Sequence, residues 1–123
     1  MATLLTEQTI HMVDCDPDVA DAIFCMMDTM KYRVRRYKNG EDFLNSKNLK
    51  NDDVLIVELD ERHPEMYTLV NELLYMATRP GVILICRQTN SIKSTDLFPS
   101  GRIEILYHPF GSDKLKSAIG KLT

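Results

Sequence analysis

Four short apolar runs, residues 10–13, 54–57, 82–85 and 103–106, each stop at or beside a polar or reactive side chain. Asp14, Cys15 and Asp16 follow the first run, Glu58 and Asp60 the second, Cys86 the third and His108 the fourth. Brief, mostly apolar strands separated by helix-like segments are what a parallel sheet covered on both faces requires. Such sheets collect ligands and chemistry at their carboxyl edge. The pattern therefore predicts a carboxylate cluster, one or two thiols and an imidazole in one small cleft.

The segments between the runs fit this alternation. Residues 9–14 (TIHMVD) read as a first strand, after which Asp16 is placed to cap a helix and Pro17 to open it. Over 18–30 the apolar positions Val19, Ile23, Met27 and Met30 recur at helical spacing and define an inner face. Residues 32–37 (YRVRRY) are strand-like but heavily charged, as suits a sheet edge. Arg33, Arg35 and Arg36 serve there either to blunt the edge or as an anion patch. Asn39-Gly40 marks a turn into a short helix over 40–46, with Phe43 and Leu44 inward. The unbroken run ahead of Glu58 puts the strand over 54–59 at the sheet's centre. A helix over 64–77 buries Leu69, Val70, Leu73, Leu74 and Met76. Then come a strand over 81–86, a short helix over 91–98, a strand over 102–107, a His108-Pro109-Phe110 turn, and a helix over 112–122 capped by Ser112. Five βα units in strict alternation give a three-layer α/β sandwich with right-handed crossovers.

Composition narrows the classes of function. A chain of 123 residues is one domain with one core, here residues 9–123 behind a loose leader over 1–8. The net charge of -3 gives no reason to expect direct nucleic-acid binding. Three cysteines without paired spacing point to free thiols in a reducing, cytoplasmic compartment. No apolar stretch reaches the roughly 18 residues a membrane span needs. Neither a G-x-G-x-x-G fingerprint nor a Walker loop occurs, so nucleotide-binding readings lose their main support. His11 reads as a packed strand histidine, His63 as a loop residue, and Cys25, Met26, Met27 and Met30 as a sulfur-rich helix end used in packing.

The order of elements, the acidic run at 14–16, the Gly40-Glu41-Asp42-Phe43-Leu44 segment and the His108-Pro109-Phe110 turn together resemble the receiver domains of two-component response regulators, in a degenerate form. The resemblance covers about residues 9 to 122. It implies a flavodoxin-like (βα)5 sandwich with strand order 2-1-3-4-5. It also implies a signal-transduction module of a phosphorelay, acting by protein–protein contacts and controlling a linked DNA-binding output domain. Its partners would be a sensor histidine kinase or another signalling protein. A homodimer would form through the 91–98 helix, the 102–107 strand and the 112–122 helix, where mixed charges suit a symmetric interface.

The family's chemistry uses an aspartate ending strand three as phosphoacceptor and an acidic pair after strand one that holds Mg²⁺. A hydroxyl after strand four and a lysine after strand five bind the phosphoryl oxygens. Carried over, the acidic pair falls on Asp14 and Cys15, and a neutral thiol is a poor Mg²⁺ ligand. Asp16 is the available substitute, although it is also the helix cap. The hydroxyl falls on Cys86, a feeble donor. The lysine falls on His108, whose unperturbed imidazole is mostly neutral near pH 7. The family's aromatic switch falls on Ile105.

Two carboxylates compete for the acceptor position. Asp60 precedes Pro64 by four residues, as the family's acceptor does, whereas spacing from Leu44 and from Cys86 selects Glu58. Choosing Asp60 would leave Glu58 charged inside a buried strand, which is costly. At that position Glu58 would imitate the phosphorylated state, its carboxylate reaching one methylene further than an aspartate, or would simply pair with His108. The expected cofactor is none, or weakly bound Mg²⁺ on Asp14 and Asp16, and the expected enzyme activity is none. Two alternatives stand beside this reading. One is an active receiver accepting a phosphoryl group on Asp60 or Glu58 with Mg²⁺. The other is a small thiol- or zinc-dependent enzyme built from Cys15, Cys86, His108 and a carboxylate.

Overall fold

Parallel strands need crossover connections, and the sequence supplies them as amphipathic helices between apolar strands. The computed structural model describes residues 8–13, 16–46, 50, 52–60, 62–73, 76, 79–86 and 102–122. The strands are β1 (Thr9–Val13), β2 (Arg33–Tyr37), β3 (Val54–Glu58), β4 (Gly81–Cys86) and β5 (Ile103–Tyr107). The helices are α1 (Pro17–Thr29), α2 (Gly40–Leu44), α3 (Glu65–Leu73) and α4 (Ser112–Leu122). All four strand pairings are parallel, in the order β2-β1-β3-β4-β5. This is the flavodoxin-like arrangement. The short helix expected over 91–98 lies outside the described residues, as do Leu74 and the leader over 1–7.

Side chains alternate across the sheet, so each strand divides its residues between two cores. Ile10, Met12, Val54, Ile56, Ile83, Ile85 and Leu106 pack against α1 and α4 through Ala20, Ile23, Met27, Leu115, Ala118 and Ile119. On the opposite face Val13, Leu55, Val57, Val82, Leu84 and Cys86 meet Phe43 of α2 and Met66, Leu69, Val70 and Leu73 of α3. Both faces of β3 and β4 are buried along their whole length, which makes these two the central strands.

The helix ends follow from local chemistry. Asp16 has extended backbone and accepts the Asp18 N–H at 3.0 Å, with Pro17 at the first helical position. Asn39 caps α2 in the same way, accepting from Asp42 N at 2.8 Å. Ser112, expected as a cap, is instead the first residue of α4. The described part of the third helix is Glu65–Leu73; residues 74, 75 and 77 of the expected span lie outside the described residues, and the Met76 N–H turns back to Leu73 O at 3.2 Å. On the β2 edge Arg33 and Arg35 are exposed. Arg36 is already committed, at 2.9 Å from Asp21 and 5.7 Å from the Phe24 ring centroid. Among the described residues no helix is long and apolar enough to cross a membrane.

Candidate functional site

Strand parity decides which of the expected groups meet. Glu58 continues the row Val54, Ile56 and therefore faces the α1/α4 layer. His108 follows Leu106 by two residues and falls on the same side, its N–H held by Cys86 O at 2.9 Å. The two side chains meet there: His108 Nε2 lies 3.5 Å from Glu58 Oε2. Nε2 is buried and makes no hydrogen bond among the described residues, so the contact is a close ion-pair approach and not a formed hydrogen bond. The imidazole also tilts against Phe110, with ring centroids 5.5 Å apart.

Glu58 is only 9% exposed. Burial pushes its carboxyl group above the ordinary glutamate range, His108 pulls it back, and the neighbouring Asp16 and Asp60 push it up again. Asp16 sits across a small gap between the end of β3 and α1, a cavity of ≈ 10 Å³ with room for at most one water. Among the described residues this gap offers charge and room for no more than a water.

Asp60 lies two residues beyond the strand end and is fully engaged. Its Oδ1 accepts from Arg62 N at 2.9 Å, and the Arg62 guanidinium forks onto the carboxylate with Nε at 3.1–3.2 Å and Nη2 at 2.6 Å. His63 N closes the same turn on Asp60 O at 2.9 Å, which shapes the loop into α3. The exposed guanidinium is held more firmly protonated by Asp60 first, then by Asp16 and Glu58. Arg62 was not singled out from the sequence. Its signal was present, since an arginine two residues after an aspartate in a turn can fork back onto it.

Cys86 does not join this corner. It shares parity with Val82 and Leu84, is 1% exposed in the opposite core, and burial raises its thiol to about 11. The register explains the difference, because Glu58 pairs with Ile85 rather than with Cys86. The phosphate-pocket role expected of Cys86 is thus not matched by its side chain, and what it supplies to the corner is the carbonyl that holds His108. Ile105 packs, partly buried, against the α2/α3-side core. Asp14 and Cys15 lie outside the described residues.

A Mg²⁺ ion needs several oxygen ligands in octahedral geometry. Among the described residues no group of three or more His, Cys, Asp or Glu is arranged to hold a metal. Asp16 spends one oxygen on its cap, Asp60 is forked by Arg62, and a cation already faces all three carboxylates. Asp16, Glu58 and Asp60 by themselves, without Asp14 and Cys15, which lie outside the described residues, do not make up a Mg²⁺ site. Of the residues expected for a zinc or thiol arrangement, Cys86 faces the other layer from His108, and Cys15 lies outside the described residues.

No family model and no curated protein matches the sequence. Solved structures do. A response regulator receiver protein from Burkholderia phymatum is 19% identical, covering 92% of this chain and 95% of its own, with TM-score 0.70. A receiver domain protein from Bacillus halodurans is 20% identical over 94% of this chain and 96% of its own, with TM-score 0.64. A CheY-like receiver domain protein from Methanospirillum hungatei is 10% identical over 94% of each chain, with TM-score 0.71. The chain has the receiver-domain fold. At these identities the likeness is one of architecture; within this chain the Glu58–His108 corner lies at the carboxyl ends of β3 and β5, the edge where open parallel sheets gather ligands.

The described residues also contain a polar cluster away from this edge. His11, 1% exposed in β1, faces the α2/α3 layer with Nε2 at 2.9 Å from Asp53 Oδ2 and Nδ1 at 2.9 Å from Tyr37 Oη. The sequence reading of His11 as a packed histidine agrees with its burial. Its partners stand 26 and 42 residues away, and only the sheet topology brings them together.

Proposed function

We propose that this chain is a receiver-type signalling module that works through protein–protein contacts without Mg²⁺-dependent phosphotransfer. The observation that carries the reading is the end of β3: Glu58 is its last residue, nine-tenths buried against His108, and the next aspartate along the chain, Asp60, is engaged by Arg62. Phosphoryl transfer relies on a positioned acceptor and on cations that neutralise the phosphoryl oxygens. Glutamate is the acceptor-position residue in this reading, the Arg62 guanidinium supplies positive charge to the corner, and His108 occupies the position that a lysine occupies in an active receiver. Control of a linked DNA-binding domain in the cytoplasm, through contact with a sensor kinase or another signalling protein, is the role this fold and this corner best suit.

Dimer formation through β5 and α4 belongs to the same proposal, with one qualification from geometry. Lys121 Nζ lies 3.8 Å from Glu104 Oε1 within the chain, so part of that face's charge is already paired internally.

Incubation with acetyl phosphate and Mg²⁺, followed by intact-mass measurement, tests the reading. The mass is expected to stay unchanged. Stoichiometric, acid-labile addition of a phosphoryl group would overturn it.

A further inference from the structure

The cluster around His11 is independent of the Glu58 corner and has its own logic. His11 and Asp53 are each 1% exposed. Asp53 accepts Thr9 N at 3.0 Å through Oδ1, and both Lys50 N at 3.3 Å and His11 Nε2 at 2.9 Å through Oδ2. On the other side of the ring, Tyr37 Oη is 2.9 Å from Nδ1 and 3.4 Å from Ser46 Oγ. Ser46 follows α2 and bonds back to it, its N–H reaching Phe43 O at 3.0 Å. Phe43 closes the cluster edge-on, 5.6 Å from the His11 ring and 5.4 Å from the Tyr37 ring.

Donor and acceptor counting fixes the protons. A carboxylate only accepts, so His11 Nε2 carries a hydrogen in either charge state. The variable proton belongs to Nδ1. With His11 neutral, Nδ1 accepts from the Tyr37 hydroxyl, and Ser46 donates to Tyr37 Oη. With His11 protonated, Nδ1–H donates to Tyr37 Oη, and the Tyr37 hydroxyl must turn to Ser46 Oγ. Both ring nitrogens and the Tyr37 hydroxyl stay bonded in both states, and only the Ser46 hydroxyl hydrogen is released, at a half-buried residue, unlike a buried histidine whose protonation would strand a hydrogen.

We infer that Asp53, His11, Tyr37 and Ser46 form a proton-responsive chain, in which protonation of the buried imidazole reverses two hydroxyl hydrogen bonds and is read at the end of α2 while the fold stays intact. Of the charged groups facing the ring among the described residues, Asp53 favours the added proton. Arg35, opposite His11 in the β1–β2 register, disfavours it. Tyr37 is the other titratable neighbour, and α2 presents only the apolar Phe43. Burial outweighs Asp53, so the response lies on the acid side of the ordinary histidine value of 6.5.

A pH titration of the folded protein followed by ¹⁵N and ¹H NMR tests this. The neutral His11 ring should show hydrogen on Nε2, and the Tyr37 and Ser46 signals should move with the same midpoint as the His11 ring, below 6.5. In Tyr37→Phe the Ser46 shift should vanish while the His11 ring still titrates. Ser46→Ala, at the surface end of the chain, should leave the fold intact and move the His11 midpoint. Three results would each overturn the inference: hydrogen on Nδ1 in the neutral ring, a Ser46 signal that ignores the His11 midpoint, or unfolding of the wild type before His11 takes up its proton.

Discussion

Replacing Asp53 by asparagine changes one atom in the core and has a magnitude that follows from the bonds around it. The carboxylate now accepts three hydrogens, from Thr9 N, Lys50 N and His11 Nε2. An amide has one oxygen, so whichever way it turns, its nitrogen donor faces a donor. With nitrogen toward His11, the ring must move its hydrogen to Nδ1, and the Lys50 N–H is left facing the amide. With nitrogen toward β1, the Thr9 N–H loses its acceptor. A lost charge-assisted bond is worth about 1.5–3 kcal/mol, and a stranded donor about 1–3 kcal/mol. The neutral amide is easier to bury than the carboxylate, which offsets part of this. The expected net loss is about 2 kcal/mol, equivalent to roughly 6–10 °C in Tm for a domain of this size. Urea denaturation at about pH 8, well above the ordinary histidine value of 6.5, where His11 is neutral folded and unfolded alike, isolates the effect. A lower midpoint with unchanged slope is the expected result. A loss under about 0.5 kcal/mol, the size of an ordinary surface substitution, would mean that Asp53 is not the buried acceptor described here.

Three other outcomes follow. Glu58→Gln should flatten the pH dependence of stability. A carboxyl group whose folded pKa is raised contributes stability that is complete below the unfolded value of 4.5 and lost as pH rises through the folded value. The variant should therefore gain Tm over the wild type above that window, and parallel pH profiles would refute the assignment. Gly81→Ala places a Cβ 2.9 Å from Leu122 Cβ, an overpacking that costs about 1–3 kcal/mol. Leu122→Ala should not rescue it, because that Cβ remains. Thiol reagents near neutral pH should label exposed Cys25 readily and Cys86 only on unfolding, since burial raises the latter to about 11. Rapid labelling of Cys86 in the folded protein would contradict its placement in the core.

The fold was largely legible because the apolar runs are short, continuous and separated by helix periodicity. Each described strand lies within one residue or two of where its run predicts. The Asp16-Pro17 start was legible for the same reason, its capping chemistry being local. What failed concerned facing and distance. Cys86 ends its run as Glu58 ends another, and both stand at strand ends, but a strand's end does not say which face the last side chain takes. The register Glu58↔Ile85 sets that parity, and register belongs to the sheet rather than to either strand. The choice between Glu58 and Asp60 for the strand end turned on the same point, and the structure closes β3 at Glu58 and gives Asp60 to the loop. The His11 cluster was beyond sequence reasoning altogether. Tyr37 ends a charged edge strand and Asp53 sits in an unremarked polar stretch, so nothing local marks either as a histidine's partner.

The central claim is that the β3 corner already carries its own counter-charges and takes neither metal nor phosphoryl group. Titration with Mg²⁺, then with Mg²⁺ and beryllofluoride, while the Glu58, Leu59 and His108 amide signals are followed by NMR, addresses it at the atoms concerned. No saturable shift is expected at millimolar metal, with or without the phosphoryl mimic. A saturable shift at these amides, lost in Asp14→Ala, would mean that a metal-dependent acceptor site is intact and that the account is wrong.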